Sequence, residues 1–102
     1  MLKEQKAVRE FVEKHKLKMK PEFAALDLAS EVGELSKEIL SGTNYGRKKF
    51  KQGKNLQSEF GDAFYSLLNL ANTLNIDLEK SLNSAMRKYE LRLKKKRTAG
   101  SD

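Results

Sequence analysis

The stretch Leu28-Ala29-Ser30-Glu31-Val32-Gly33-Glu34-Leu35-Ser36-Lys37-Glu38-Ile39-Leu40 decides how this chain folds. A helix turns about 100° per residue, which gathers Leu28, Val32, Leu35 and Ile39 on one narrow arc. Asp27, Glu31, Glu34 and Glu38 fall on a second arc roughly a quarter-turn away, on the flank of the apolar stripe rather than opposite it. Acids stacked beside a core stripe are either solvated surface or half of a metal site. Gly33, between Glu31 and Glu34, removes a side chain where another helix or a ligand could approach.

The same arrangement recurs further on. In Ser58-Glu59-Phe60-Gly61-Asp62-Ala63-Phe64, Glu59 and Asp62 stand three apart on the polar flank of a helix that directs Leu56, Phe60, Ala63, Leu67, Leu70, Ala71 and Leu74 inward. Ser66 and Asn69 continue that flank. If the two helices pack antiparallel, their acidic flanks face each other across a cleft. Four carboxylates converging in a low dielectric repel strongly, and a hard divalent cation is the natural compensation. Mg²⁺ prefers oxygen donors and is commonly shared between carboxylates and substrate phosphates. The chain has no cysteine and one histidine, His15, so a soft-metal site lacks its ligands. The third acid pair at this spacing, Glu10 and Glu13, reads as solvated surface, so spacing alone does not decide the matter.

The rest of the pattern is helical throughout. A first helix over 2–17 turns Leu2, Val8, Phe11 and Val12 toward the core. A second begins at Pro21, which suits a first helical turn, and ends near Gly42. The segment 41–54 holds three glycines and five basic residues without an acid, and reads as a mobile loop. A third helix covers 55–74. Asp77 then serves as N-cap for a fourth, which carries Leu78, Leu82, Met86, Tyr89 and Leu93 at core spacing into a basic tail. The expected architecture is all-α, a four-helix bundle in one domain over 1–97, with 98–102 as a frayed tail. At 102 residues, 38% hydrophobic and 34% charged, the chain has a modest core that pairing with a copy of itself would complete.

The net charge of +7 favours anionic partners without choosing among them. The N-terminus lacks the apolar run of a secretory signal, and no apolar stretch is long enough to span a bilayer, so a soluble cytoplasmic protein is expected. The loop sequence Gly46-Arg47-Lys48-Lys49-Phe50-Lys51-Gln52-Gly53-Lys54-Asn55 is not a P-loop, because its glycines are too widely spaced and Asn55 stands where Ser or Thr is required. Arg47, Lys48, Lys49, Lys51 and Lys54 either close over phosphates or keep the loop soluble.

Glu31-x-x-Glu34, 24 intervening residues, then Glu59-x-x-Asp62 resembles the ExxE…ExxD signature of the MazG-type, all-α NTP pyrophosphatase superfamily. Lys88, Tyr89 and Arg92 resemble the closing Lys-aromatic-x-x-Arg segment of that family, and the likeness runs over about 5–97. A departure is Met86, where many members carry an asparagine. The resemblance implies Mg²⁺-dependent hydrolysis of an NTP or dNTP to the monophosphate and pyrophosphate, with Mn²⁺ as a substitute ion. It makes Glu31, Glu34, Glu59 and Asp62 the metal-binding and catalytic residues and Lys88 and Arg92 the phosphate clamp; Glu38, on the same arc, is a further or second-layer ligand. It also implies a homodimer or a tetramer of two dimers. Phosphoribosyl-ATP pyrophosphatase is the alternative within the superfamily. A non-catalytic basic helical protein that binds nucleic acid is the alternative outside it, and the acids on the second and third helices speak against that reading.

Overall fold

The computed structural model describes residues 1–100, with side chains as far as 97. Those residues form four helices and no strand: α1 Lys3–Lys14, α2 Pro21–Gly42, α3 Leu56–Thr73 and α4 Leu78–Gly100. The tail expected to fray, 98–102, lies outside the described residues except for the helical backbone that reaches Gly100. Among the described residues, no helix is long and apolar enough to cross a membrane.

The first three helices stop in the same way. Lys16, Asn44 and Asn75 take left-handed backbone angles, with φ of 54°, 47° and 54°. The residue after each donates its N–H back into the last turn: Leu17 to Val12 at 2.9 Å, Tyr45 to Leu40 at 2.8 Å and Ile76 to Ala71 at 2.9 Å. This is the Schellman closure, which satisfies carbonyls the helix would otherwise leave open. It ends α1 at Lys14, short of the expected 17. α2 ends at Gly42 as expected, and proximity is what requires a glycine at that position. A Cβ there would lie 2.6 Å from Phe50 Cε2 and 2.8 Å from the Lys51 carbonyl oxygen. The connection folds back onto the helix end, and the Lys51 N–H donates to the Gly42 carbonyl at 2.8 Å.

α2 and α3 pack against each other, α1 lies against α3, and α4 packs only marginally on the rest. Val12, Ala24, Leu56, Leu68 and Ala71 are buried. Ser66, Leu68, Asn69 and Ala71 point in several directions around α3 and all are buried, so its second half is the more enclosed. Its first half is open. Phe60, Phe64 and Leu67, together with Leu28 and Val32 of α2, line an apolar hollow on the surface. Val32, Ile39, Phe60, Leu67 and Leu74, all expected inward, are therefore substantially exposed in the single chain. So are Leu82, Met86, Tyr89 and Leu93 of α4, at 55, 60, 53 and 55%. The radius of gyration is 17.8 Å, against about 13 Å for a compact chain of this length.

One polar residue ties the ends together. Gln5 is wholly buried. Its Nε2 donates to the Ile76 carbonyl at 2.6 Å, and its Oε1 accepts the Leu78 N–H at 3.0 Å. Asn72 Nδ2 returns a bond to the Gln5 carbonyl at 3.1 Å, and Arg9 donates to Asn72 Oδ1 at 3.3 Å. Asp77 caps the adjacent N–H of Glu79 at 3.0 Å, the N-cap role expected for it. The start of α4 is thus held by two side chains, one of them from α1.

Candidate metal centre

α2 and α3 run antiparallel: Leu28 and Leu67 border one hollow, while Glu38 near the end of α2 lies against Gly53 just before α3. That direction brings the two acidic flanks together. One carboxylate oxygen from each of Glu31, Glu59 and Asp62 lies within 4.8 Å of the others. Glu31 and Glu59 are half-buried and Asp62 is exposed, so the group is open on one side to solvent. Glu34 stands outside this trio on the solvent side. It is still close enough to bear on the charge of Glu59, as is Glu38. Desolvation first, then the charges of Asp62, Glu34, Glu31 and Glu38, push the Glu59 carboxyl above its ordinary value. Five acids from two helices therefore share one field, and three of them converge within ion-binding range.

Such a set is all oxygen, which suits a hard divalent cation. His15 stands apart, with its ring 4.7 Å from that of Phe11. Gly33 and Gly61 do not serve as points of close approach within the chain, since a Cβ on either would meet open space.

From Asp62 the same stripe of α3 continues through Ser66 and Asn69, the latter about 10 Å further along the axis. Both are polar and more than nine-tenths buried. Asn69 borders a cavity of about 150 Å³ whose other lining includes Arg9, Glu13, Lys18, Asn72 and Thr73. At the opposite end, a hollow lies among Glu38, Ser41, Gly42, Lys48, Lys51, Gln52 and Gly53.

Among the described residues, no ion pair joins Lys88 or Arg92 to the acids. Both are exposed on α4 and lie over the Tyr89 ring, at 5.0 and 5.8 Å from its centroid. Lys88 also borders a shallow hollow with Lys80, Ser81, Ser84 and Ala85.

A family model of the MazG nucleotide pyrophosphohydrolase domain matches residues 19–96, which include all of α2 and α3 and the four acids of the repeated motif. The chain belongs to the MazG family. The crystal structure of a Bacillus-conserved MazG protein, a nucleotide pyrophosphohydrolase, superposes with a TM-score of 0.71 at 31% identity, covering 85% of each chain. That of YpjD from Bacillus subtilis, described as a candidate pyrophosphatase, gives 0.68 at 32% identity over 83% of this chain and 86% of that one. In sequence, the MazG nucleoside triphosphate pyrophosphohydrolase/pyrophosphatase of Thermotoga maritima is 44% identical over 48 residues, and YpjD is 37% identical over 68. These aligned stretches span 19% of the Thermotoga protein and 60% of YpjD, less than two thirds of either. The four-helix MazG fold expected from the motif is the fold found.

Proposed function

We propose that this MazG-family chain is a Mg²⁺-dependent nucleoside triphosphate pyrophosphohydrolase of the cytoplasm, converting an NTP or dNTP to the monophosphate and pyrophosphate. The observation that carries the reading is the convergence of Glu31, Glu59 and Asp62 from two antiparallel helices within the matched domain. These three, with Glu34 beside them, would hold the ion; Mn²⁺ suits the same donors, and Glu38 supports the set from one turn further on. When bound, the ion neutralises phosphate oxygens and lowers the pKa of a coordinated water. The bond broken is the anhydride between the α- and β-phosphates, and one of the clustered carboxylates receives the proton of the attacking water. The cavity bordered by Asn69, Asn72 and Thr73 offers the nucleoside a place on the α1 side of the acids.

The reading also requires a second copy of the chain. Its accessible surface is 8412 Å² at 11.7 kDa, whereas a compact monomer of that mass exposes about 5,900 Å². The excess, about 2,500 Å² per chain, is in keeping with a large homodimer interface. Apposition of a partner's α4 to the open faces of α2 and α3 would bury both apolar surfaces and carry Lys88 and Arg92 toward substrate phosphates. A homodimer, or a tetramer built from two, follows.

The decisive assay incubates the pure protein with Mg²⁺ and a panel of common and damaged nucleotides, resolving pyrophosphate from phosphate, with the Glu34→Gln/Asp62→Asn double variant as the blank. Equimolar monophosphate and pyrophosphate from the wild type alone is the expected result. Absence of turnover for every triphosphate by folded, Mg²⁺-loaded protein would overturn it, and phosphoribosyl-ATP would be the next substrate to try.

A further inference from the structure

The loop between α2 and α3 carries five basic residues, and the fold treats them unequally. Lys51 is fixed through its backbone to Gly42, and Phe50 is pressed against the same glycine so closely that no side chain would fit there. This fold-back places Lys48 and Lys51 in the lining of one hollow that Glu38 also borders. Arg47, Lys49 and Lys54 do not border it. Glu38 in turn is one turn beyond Glu34 on the acidic flank, with its carboxylate packed over Gly53. Among the described residues the ion pairs belong to the N-terminal amine, and neither lysine is paired. Two uncompensated cations thus sit at the end of an uncompensated row of carboxylates, on the side away from the cavity of Asn69.

We infer that Lys48 and Lys51 form the subsite for the outer phosphates of the substrate, and hence for the pyrophosphate that leaves. The inference deepens the pyrophosphohydrolase reading and rests on it for the identity of the polyanion. Along the α2–α3 axis the order is then nucleoside in the cavity beside Asn69, ion and scissile anhydride among Glu31, Glu59 and Asp62, and terminal phosphates between the two lysines. The lysines act as charge-assisted donors to phosphate oxygens. Glu38 faces them without neutralising them, and its charge discourages a phosphate from settling past the subsite.

The test is calorimetric titration of inorganic pyrophosphate into the wild-type protein, the Lys48→Gln/Lys51→Gln variant and the Arg47→Gln/Lys49→Gln variant, all in Mg²⁺. The two variants lose the same charge from the same loop. Loss of the first pair is expected to weaken binding by about tenfold or more, as for removal of a charge-assisted contact, while loss of the second changes it less than about twofold. Unchanged affinity in the Lys48→Gln/Lys51→Gln variant, equal losses in both, or no binding by the wild type would overturn the assignment. Hydrolysis of triphosphates is followed on the same samples. Lysine-dependent pyrophosphate binding without turnover would sustain the subsite as a polyphosphate site and sink the catalytic reading alone.

Discussion

Glu59 is the residue on which the electrostatics of the centre concentrate. Its carboxyl is held above its ordinary 4.5, chiefly by desolvation and then by the four acids around it. A carboxyl raised in the folded state contributes stability that is fully present below the unfolded value and is lost as pH rises through the folded one. Metal-free wild type and Glu59→Gln should therefore melt together at or below about pH 4.5, and the variant should melt higher at pH 7. On the proposed function, saturating Mg²⁺ should reverse the order, because the variant has lost a ligand and gains less stability from the ion. Thermal melts at two pH values, with and without Mg²⁺, check both signs. Gln5 is the opposite case, a neutral group whose worth lies in its geometry. Gln5→Leu strands the Ile76 carbonyl and the Leu78 N–H, and should lower stability by about 1–3 kcal/mol for each group left unsatisfied; urea unfolding measures it. The acids were legible in the sequence because two pairs flank apolar stripes and together match the spacing of a known signature; the three-residue spacing alone, shared by Glu10 and Glu13, would not have singled them out. Gln5 was not read, although a signal existed. It stands three residues before Val8 and seven before Val12, at a core register where a polar residue needs an explanation. Its partners lie in a turn more than seventy residues away, which no local pattern points to.

At the scale of the elements, helix periodicity located α2, α3 and the start of α4 to within a residue or so, and Pro21 and Asp77 marked two of the starts. The ends were less legible, because they depend on left-handed residues that need not be glycine. Lys16 adopts φ of 54° to close α1, a conformation that a residue with a Cβ takes at a cost of about 1–2 kcal/mol. Lys16→Gly should accordingly raise stability by up to about 1 kcal/mol, part of the gain being offset by the greater freedom of glycine in the unfolded chain. The midpoint of urea unfolding is the measurement. The glycines make the same point. No atom of the chain approaches Gly33, which stays open to a ligand or a second copy, whereas Gly42, read only as a helix stop, is the one on which a ring and a carbonyl are packed. Sequence gives the residue type; only the path of the loop decides which glycine is crowded.

For the whole molecule, the apolar stripes of α2, α3 and α4 were visible as periodicity, but the sequence could not say that one chain leaves so much of them open. Which surface covers a stripe is a property of the assembled molecule, and a single sequence carries no direct record of it. Replacing Met86, 60% exposed in the middle of the α4 stripe, by glutamate should leave helix content intact and shift light-scattering mass toward the monomer, because a charge buried in an interface core without a partner is strongly disfavoured. Catalysis should fall with it. The Gln5 tie has a further bearing on the order in which the molecule is assembled. Its two bonds to the α3–α4 turn close loops of 71 and 73 residues, whereas α2 and α3 meet across a short connection, and closing the longer loop carries the greater entropic cost. The α2–α3 pair can therefore form early, with its acids already opposed. The heading of α4 is settled last, by an amide near the beginning of the chain. In the proposed homodimer, where α4 of one copy covers the open faces of another, the heading of α4 has to be fixed by that amide before the two copies can fit together.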